Sequence, residues 1–318
     1  MSNYNTGLKN RIFSLSPYVE LIGRRLFYLN KKNLKFLAQR AQKDSSRTKS
    51  KLDLSLIMDY IKSLGVKKGS NLLIHSAYGP FKGRGYSPRE IVDEILNLIG
   101  NEGTLAMPAM PHFSNKKELV HPNDKIDLAQ VYLYDVAKSP ISTGVLPTVL
   151  HEMKDSVRSR HPINSMVAIG PLKELLINDN LLGRDPLPCG INSSWKRTVD
   201  HDFRIISLGT DFMHSATSIH INEDTSEDPW IKDNWYNPKK FIIKDGEFYA
   251  EMILNERKEK WGSLHWAERT MCKDLFAAKV LVGEEIDGII VETITSKDLF
   301  NFIKQKGFPY SYYWTGYK

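Results

Sequence analysis

Apolar positions along the chain follow two periods. Residues 54–64 carry them at helical spacing, which predicts a helix closed by Gly65. Asn71-Leu72-Leu73-Ile74-His75 is instead a short continuous apolar run and reads as a buried strand. A polar, glycine-bearing stretch, Ser76-Ala77-Tyr78-Gly79-Pro80-Phe81-Lys82-Gly83-Arg84-Gly85, separates it from helical spacing over 88–99. Gly103-Thr104-Leu105-Ala106-Met107-Pro108 is a second strand, so this part of the chain is a strand-helix-strand unit. Such a unit is the mark of a parallel or mixed sheet covered by helices.

Downstream, the pattern is less regular. Residues 109–138 are polar and poorly periodic and read as a long loop region of the kind that shapes a substrate mouth. Helical spacing resumes over 144–153 and 172–178, on either side of the short apolar stretch Met166-Val167-Ala168-Ile169-Gly170. A loop over 186–194 follows, and then Ile205-Ile206-Ser207-Leu208-Gly209 reads as a strand ending at a glycine. Residues 239–253 predict a hairpin turning at Asp245-Gly246. A final strand pair is expected over 278–282 and 288–292 and a last helix over 297–304. The aromatic tail, residues 308–314, is expected to pack on the surface.

Charge changes the picture only at the N-terminal end. The formal net charge is +7, but residues 1–50 hold eleven Lys or Arg against Glu20 and Asp44, a balance of +9, which leaves 51–318 at −2. Residues 1–51 therefore read as a basic amphipathic leader and linker, with helical segments around 18–29 and 34–37, ahead of an α/β domain over 52–318. Such a leader has three partners open to it: its own domain, a second subunit as in a homodimer, or an acidic membrane surface. Nucleic-acid binding lacks any finger, P-loop or aromatic-basic module to support it.

An apolar share of 41% and a charged share of 25% fit a soluble globular chain. No stretch is long and apolar enough for a membrane span, and no signal-peptide core is present at the N-terminus. Two cysteines, Cys189 and Cys272, outside any CxxC pair, suit a reducing compartment. The expected location is the cytoplasm, with the inner face of the membrane left open by the leader.

The densest chemistry is Thr217-Ser218-Ile219-His220-Ile221-Asn222-Glu223, directly after a strand end. On a helix, residues three apart share a face, so His220 could act as a base with Glu223 beside it. An ordinary buried polar network has the same spacing. The loop from Gly79 to Gly85 is not a Walker motif, although its backbone N–H groups and basic residues suit a phosphate or an acyl oxygen. His214, His220 and Glu223 do not reproduce a zinc-binding spacing, and no metal is expected. Cys189 reads as a small hydrophobe, and Ser76 lacks the G-x-S-x-G elbow of an acylated nucleophile.

Taken together, five ordered pieces resemble the aminoglycoside 3-N-acetyltransferase-like family. They are His75-Ser76 after a strand, Gly103 to Pro108, Pro140-Ile141-Ser142-Thr143-Gly144, Arg158-Ser159-Arg160-His161-Pro162-Ile163-Asn164-Ser165, and Thr217-x-x-His220-x-x-Glu223. The resemblance implies an α/β fold with a mixed central sheet flanked by helices, and a CoA-dependent N-acyltransferase using acetyl-CoA on the amine of an amino sugar. It makes His220 the catalytic base, with Glu223 orienting it. It also implies that His75, Ser76, Ala77, Gly83 and Gly85 lie against the pantetheine and phosphates, and that Arg158, His161 and Ser165 shape the cofactor cleft.

Thr217, Asp224 and Glu227 are the expected acceptor contacts. The resemblance is thinnest where an acceptor would be recognised: in 109–138, Glu118, Asp124, Asp127 and Asp135 alternate with Lys116, Lys117, Lys125 and Lys138. A mixed mouth favours an acceptor less cationic than an aminoglycoside, such as a nucleotide- or lipid-linked amino sugar of surface glycan assembly. Aminoglycoside acetylation, and with it antibiotic resistance, is the alternative within the same chemistry. A non-catalytic binding protein on the same fold is the alternative outside it.

Overall fold

Period-two burial along three strands decides the architecture. The computed structural model describes residues 8–29, 50–113, 128–183, 186–226, 235–258, 262, 265–307 and 312–315. In β1 (Asn71–Ser76), β2 (Thr104–Pro108) and the later β6 (Arg204–Leu208), Leu72, Ile74, Leu105, Met107, Ile206 and Leu208 enter one core, and Leu73, Ala106 and Ile205 the other. Both faces of the sheet are thus buried, which explains why these strands read as continuous apolar runs. β1 lies between β2 and β6 and is parallel to both, with Leu73 beside Ala106 and Ile205.

The first core is closed by helices that were legible in the sequence. α3 (Leu54–Ser63) contributes Leu54, Ile57, Met58 and Ile61 at helical spacing, and α4 (Pro88–Ile99) contributes Ile91, Val92, Ile95 and Ile99. α4 starts in a capping box, in which Ser87 and Glu90 satisfy each other's backbone N–H. It also makes the crossover from β1 to β2. α5 (Val145–His151) adds Leu146 and Leu150.

The second core lies under α6 (Lys173–Ile177), α7 (Ser194–Asp200), α9 (Glu268–Ala277) and α10 (Ser296–Gln305). Trp195 of α7 and Met271 and Leu275 of α9 are fully buried in it. Antiparallel strands complete the sheet on both sides, β5 (Met166–Ile169) and β4 (Val157–Arg158) beyond β2, and β10 (Ile289–Thr295) and β9 (Val282–Ile286) beyond β6. The result is a mixed seven-stranded sheet in the order β4-β5-β2-β1-β6-β10-β9, flanked by helices.

A second sheet of three strands is built from β3 (Val131–Asp135) and the hairpin of β7 (Tyr236–Asp245) and β8 (Phe248–Arg257). β3 corrects the expectation of an unbroken loop over 109–138. Tyr132 and Tyr134 point into a small core with Phe241 and Ile243, while Val131 and Leu133 face out. The alternation was written in apolar residues on both faces, so it did not read as amphipathic. The first strand of the final pair also lies later than expected, because 278–281 close α9 and turn before Val282.

Tyr313 and Trp314 are buried, with Trp314 edge-on to Trp235 and Trp266 at 5.0 Å. The C-terminal tail is therefore core rather than surface at these two positions.

At the N-terminal end, α1 (Leu8–Phe13) and α2 (Pro17–Leu29) form a helical corner. It closes tightly because Gly23 has no side chain: a Cβ there would lie 2.2 Å from the Phe13 ring. The expected helical stretch at 34–37 and nearly all of the linker lie outside the described residues.

Candidate active site

β6 exits the sheet at Leu208, and the chain must turn at once. Gly209 has φ +72, and a Cβ there would sit 2.4 Å from the carbonyl of Ala77, so only glycine lets the exits of β6 and β1 pass this closely. Two 3₁₀ turns follow, Phe212–His214 and Thr217–Ile219, and then the short helix α8 (His220–Asp224). The Thr217-to-Glu223 motif is therefore a turn running into a helix. α8 is tied to α10 by Asn222 Nδ2, which donates to the carbonyl of Phe300 at 3.0 Å.

The three-residue spacing of His220 and Glu223 survives this geometry. His220 Nδ1 lies 2.7 Å from Glu223 Oε2. A carboxylate only accepts, so Nδ1 carries the proton and donates, which leaves the lone pair on Nε2. Nε2 has no hydrogen bond to a described residue. The His220 side chain is 27% exposed and that of Glu223 only 2%.

His220 lines a cleft of about 400 Å³ between the two sheets, with Thr217, Asn164 and Ile163 near it and Tyr132, Phe241, Lys239, Glu256 and Arg257 from the second sheet. The wall mixes apolar residues with nearly as many polar and charged ones, the latter able to orient a small polar ligand. Among the described lining residues, Lys239, Arg257 and Lys258 are basic and Glu256 is acidic; Lys239 pairs with Glu256.

Arg257 was not anticipated from the sequence, yet it organises this corner. Its Nε donates to Glu223 Oε2 at 2.9 Å, its NH2 group donates to the carbonyl of His220 at 3.3 Å, and it pairs with Asp224. Burial opposes its charge, but the Asp224 and Glu223 carboxylates outweigh that and hold its proton affinity well above the ordinary value. The hairpin register places Tyr236 opposite Arg257, so extending the pairing from the Asp245-Gly246 turn would have found its strand position. Nothing in the sequence would have supplied its partners on α8.

Asp224 does not face the cleft, contrary to its expected role as an acceptor contact. Its carboxylate is buried and fully engaged: Oδ2 accepts the Cys189 N–H at 2.8 Å and Oδ1 accepts the Tyr236 hydroxyl at 2.6 Å, besides the pair with Arg257. It anchors the 186–194 loop under α8. Thr217 does line the cleft. Glu227 lies outside the described residues.

The expected cofactor side chains divide. Arg158, His161 and Ser165 are buried and spend their hydrogen bonds on the main chain, so any part they take in shaping the cleft is through the wall they brace. Arg158 donates to the carbonyls of Ala109 at 2.6 Å and Ser139 at 2.7 Å, and Ser165 donates to the same Ala109 carbonyl. His161 Nε2 lies 3.1 Å from the Pro186 carbonyl, and Nδ1 accepts the Ile163 N–H at 3.2 Å. Burial lowers its proton affinity, in keeping with a neutral ring. These groups brace the Pro162-Ile163-Asn164 wall of the cleft from behind.

Gly83 and Gly85 also stand apart from the cleft wall. Their loop is pinned by Arg84, which donates to the Ser50 carbonyl and to Asp287. The Ala77 N–H is taken by the Leu208 carbonyl at 2.9 Å, and neither His75 nor Ser76 is among the residues that line the cleft. His75 is buried beside Trp195, with ring centroids 5.8 Å apart, and its Nε2 has no partner; burial lowers its pKa to about 4, so it is neutral.

Cys189 is buried, and burial pushes its thiol up to about 12, which removes thiolate chemistry at neutral pH. His214 pairs with Asp211 at 2.5 Å, away from Glu223. Among the described residues no group of three or more His, Cys, Asp or Glu is placed to hold a metal ion.

Comparison with known proteins identifies relatives of this chain. Aminoglycoside N(3)-acetyltransferase III of Serratia marcescens is 31% identical over 167 residues, 50% of this chain and 60% of that protein. The chain thus spans less than two thirds of that relative. Among solved structures, the AAC-IIIb binary complex with CoASH superposes with a TM-score of 0.66 at 18% identity, covering 80% of this chain and 94% of that one. Sisomicin-bound AAC-VIa gives 0.64 at 17%, over 79% and 96%. These structures share the fold. The model of the aminoglycoside 3-N-acetyltransferase family matches residues 73–305, and the chain belongs to that family.

Proposed function

We propose that the protein is an acetyl-CoA-dependent N-acetyltransferase whose acceptor is the amine of an amino sugar, with His220 as general base. The observation that carries this reading is the His220–Glu223 pair at 2.7 Å on the wall of a cleft, with Nε2 left as the acceptor for a proton. An ammonium cannot attack a thioester, so a base with a lone pair is needed at the acceptor nitrogen. Proton transfer to Nε2 builds an imidazolium, and the Glu223 carboxylate stabilises it through Nδ1–H. Arg257 holds that carboxylate in place through Oε2 and closes the corner from behind. Arg257 is a positioning residue, since its bonds run to Glu223 and Asp224.

The acyl donor supplies the acetyl group as a thioester: the acceptor nitrogen bonds the acyl carbon, the C–S bond breaks, and free thiol leaves. The described residues fit such a donor in part. The unpartnered Nε2 of His75 at the exit of β1 is a buried polar atom that a pantetheine amide would satisfy, although neither His75 nor Ser76 lines the cleft itself. Arg158, His161 and Ser165 would act only through the wall they brace.

The names of the relatives support an aminoglycoside acceptor. A nucleotide- or lipid-linked amino sugar is the second reading; the cleft's Lys239 and Arg257 are matched by Glu256, Glu223 and Asp224, so an acceptor of either charge is open to this lining. Release of thiol from acetyl-CoA across aminoglycosides and nucleotide-linked amino sugars separates the two. We expect acceptor-dependent release, with His220→Ala slower by on the order of 10²- to 10⁴-fold while still folded. Unchanged turnover in His220→Ala would remove the base from the mechanism.

A further inference from the structure

α2 carries two faces, and among the described residues one of them packs against α9. On the inner face Glu20 is 1% exposed and caps α9, whose own N-cap residue, Ala267, offers no side-chain bond. Glu20 Oε1 accepts the Arg269 N–H at 3.0 Å, and Oε2 accepts the Thr270 N–H at 3.1 Å. Arg24 pairs with both Glu20 and Glu268, and Lys273 donates to the Ser14 carbonyl at 3.0 Å. These bonds fix the rotation of α2 about its axis, because turning it would strip a buried carboxylate of its donors.

The outer face is therefore held outward rather than merely left there. Tyr18, Ile22 and Leu26 stack at four-residue spacing and are 68%, 59% and 55% exposed. Leu15 and Ile12 continue the strip toward α1 at 67% and 45%. Single exposed apolar residues are ordinary, but a row at four-residue spacing on one helix marks a binding face.

Charge selects the partner. Within α2, Arg24 is spent on Glu20 and Glu268, and Glu20 is buried and matched by Arg24 and Arg269. Arg11 and Arg25 are exposed beside the strip. A second copy of this chain would bring the same positive charge against it, which opposes pairing. An anionic lipid surface satisfies both the apolar strip and the charge.

We propose that the outer face of α1–α2 binds reversibly to an anionic membrane surface, with Tyr18, Ile22 and Leu26 at headgroup depth and Arg11 and Arg25 beside the lipid phosphates. Among the described residues no helix is long and apolar enough to cross a membrane, so the helix would lie in the plane of the interface.

The test is sedimentation of the full chain with vesicles of phosphatidylcholine alone and of phosphatidylcholine mixed three to one with phosphatidylglycerol. Binding is expected to the mixed vesicles only and to weaken with salt. Ile22→Asp, at an exposed position, should lower the partition roughly ten-fold with the thermal midpoint unmoved. Equal binding to both vesicle types, or undiminished binding of folded Ile22→Asp, would overturn the proposal. So would a dimer in sedimentation equilibrium that Ile22→Asp dissolves, since the strip would then be a subunit interface.

Discussion

Arg158 and Arg257 both end a strand, and both are largely withdrawn from water, but the protein keeps their charges in opposite ways. Arg158 is wrapped in neutral acceptors: its guanidinium reaches the carbonyls of Ala109, Val136 and Ser139 and lies 5.1 Å from the Tyr134 ring. Burial depresses its proton affinity, and Tyr134 only partly offsets that. Arg257 is wrapped in carboxylates, and there the Coulombic attraction overcomes burial. A cation held by carbonyls is a clamp on the main chain. A cation held by two carboxylates, one of which touches an imidazole, belongs on the proposed function to the electrostatics of the reaction centre.

The strongest attempt to break this contrast is Arg257→Met. It strands Glu223 and Asp224 in the interior, so a loss of about 3–5 kcal/mol in chemical denaturation is expected. In the folded fraction, kcat should fall on the order of ten-fold or more, because Glu223 loses the group that fixes it. Adding Glu223→Gln should return part of the stability and none of the rate. A variant in which rate and stability recover together would make Arg257 a purely structural residue.

Arg158→Met should cost less, about 2 kcal/mol, since only neutral carbonyls lose donors and Ala109 keeps Ser165. Per folded molecule, kcat/KM should hold. A selective rise in the KM for acetyl-CoA would instead restore Arg158 to a direct role at the donor.

Arg160 supplies the baseline. It sits two residues from Arg158, pairs with Asp245 at 2.7 Å, and the two side chains are 47% and 35% exposed. Arg160→Ala should change stability by less than about 1 kcal/mol, with the effect shrinking in salt.

The same contrast explains what could be read in advance. The strand-helix-strand unit, the β6 exit and the Asp245-Gly246 hairpin were legible because local pattern and turn chemistry coincide there. The His220–Glu223 pair was legible because three-residue spacing survives even in a helix as short as α8. Arg257 and the β3 strand were not, because their meaning depends on what packs against them from distant parts of the chain. Arg158, His161 and Ser165 show where residue type alone stops short, because they act on the cleft wall through main-chain bonds. Residue types suited to phosphate binding are equally suited to satisfying buried carbonyls, and only the distances separate the two uses.

The capping of α9 by Glu20 also has a temporal consequence. The two elements are separated by 249 residues. At ordinary elongation rates α2 leaves the ribosome roughly 10–50 s before its partner exists. During that interval the Glu20 carboxylate is solvated, and the helix carries apolar residues on both flanks without a site to dock on. The N-terminal end of α9 and the seat of α2 are thus completed by one late event, and docking of α2 reports that synthesis has passed residue 270.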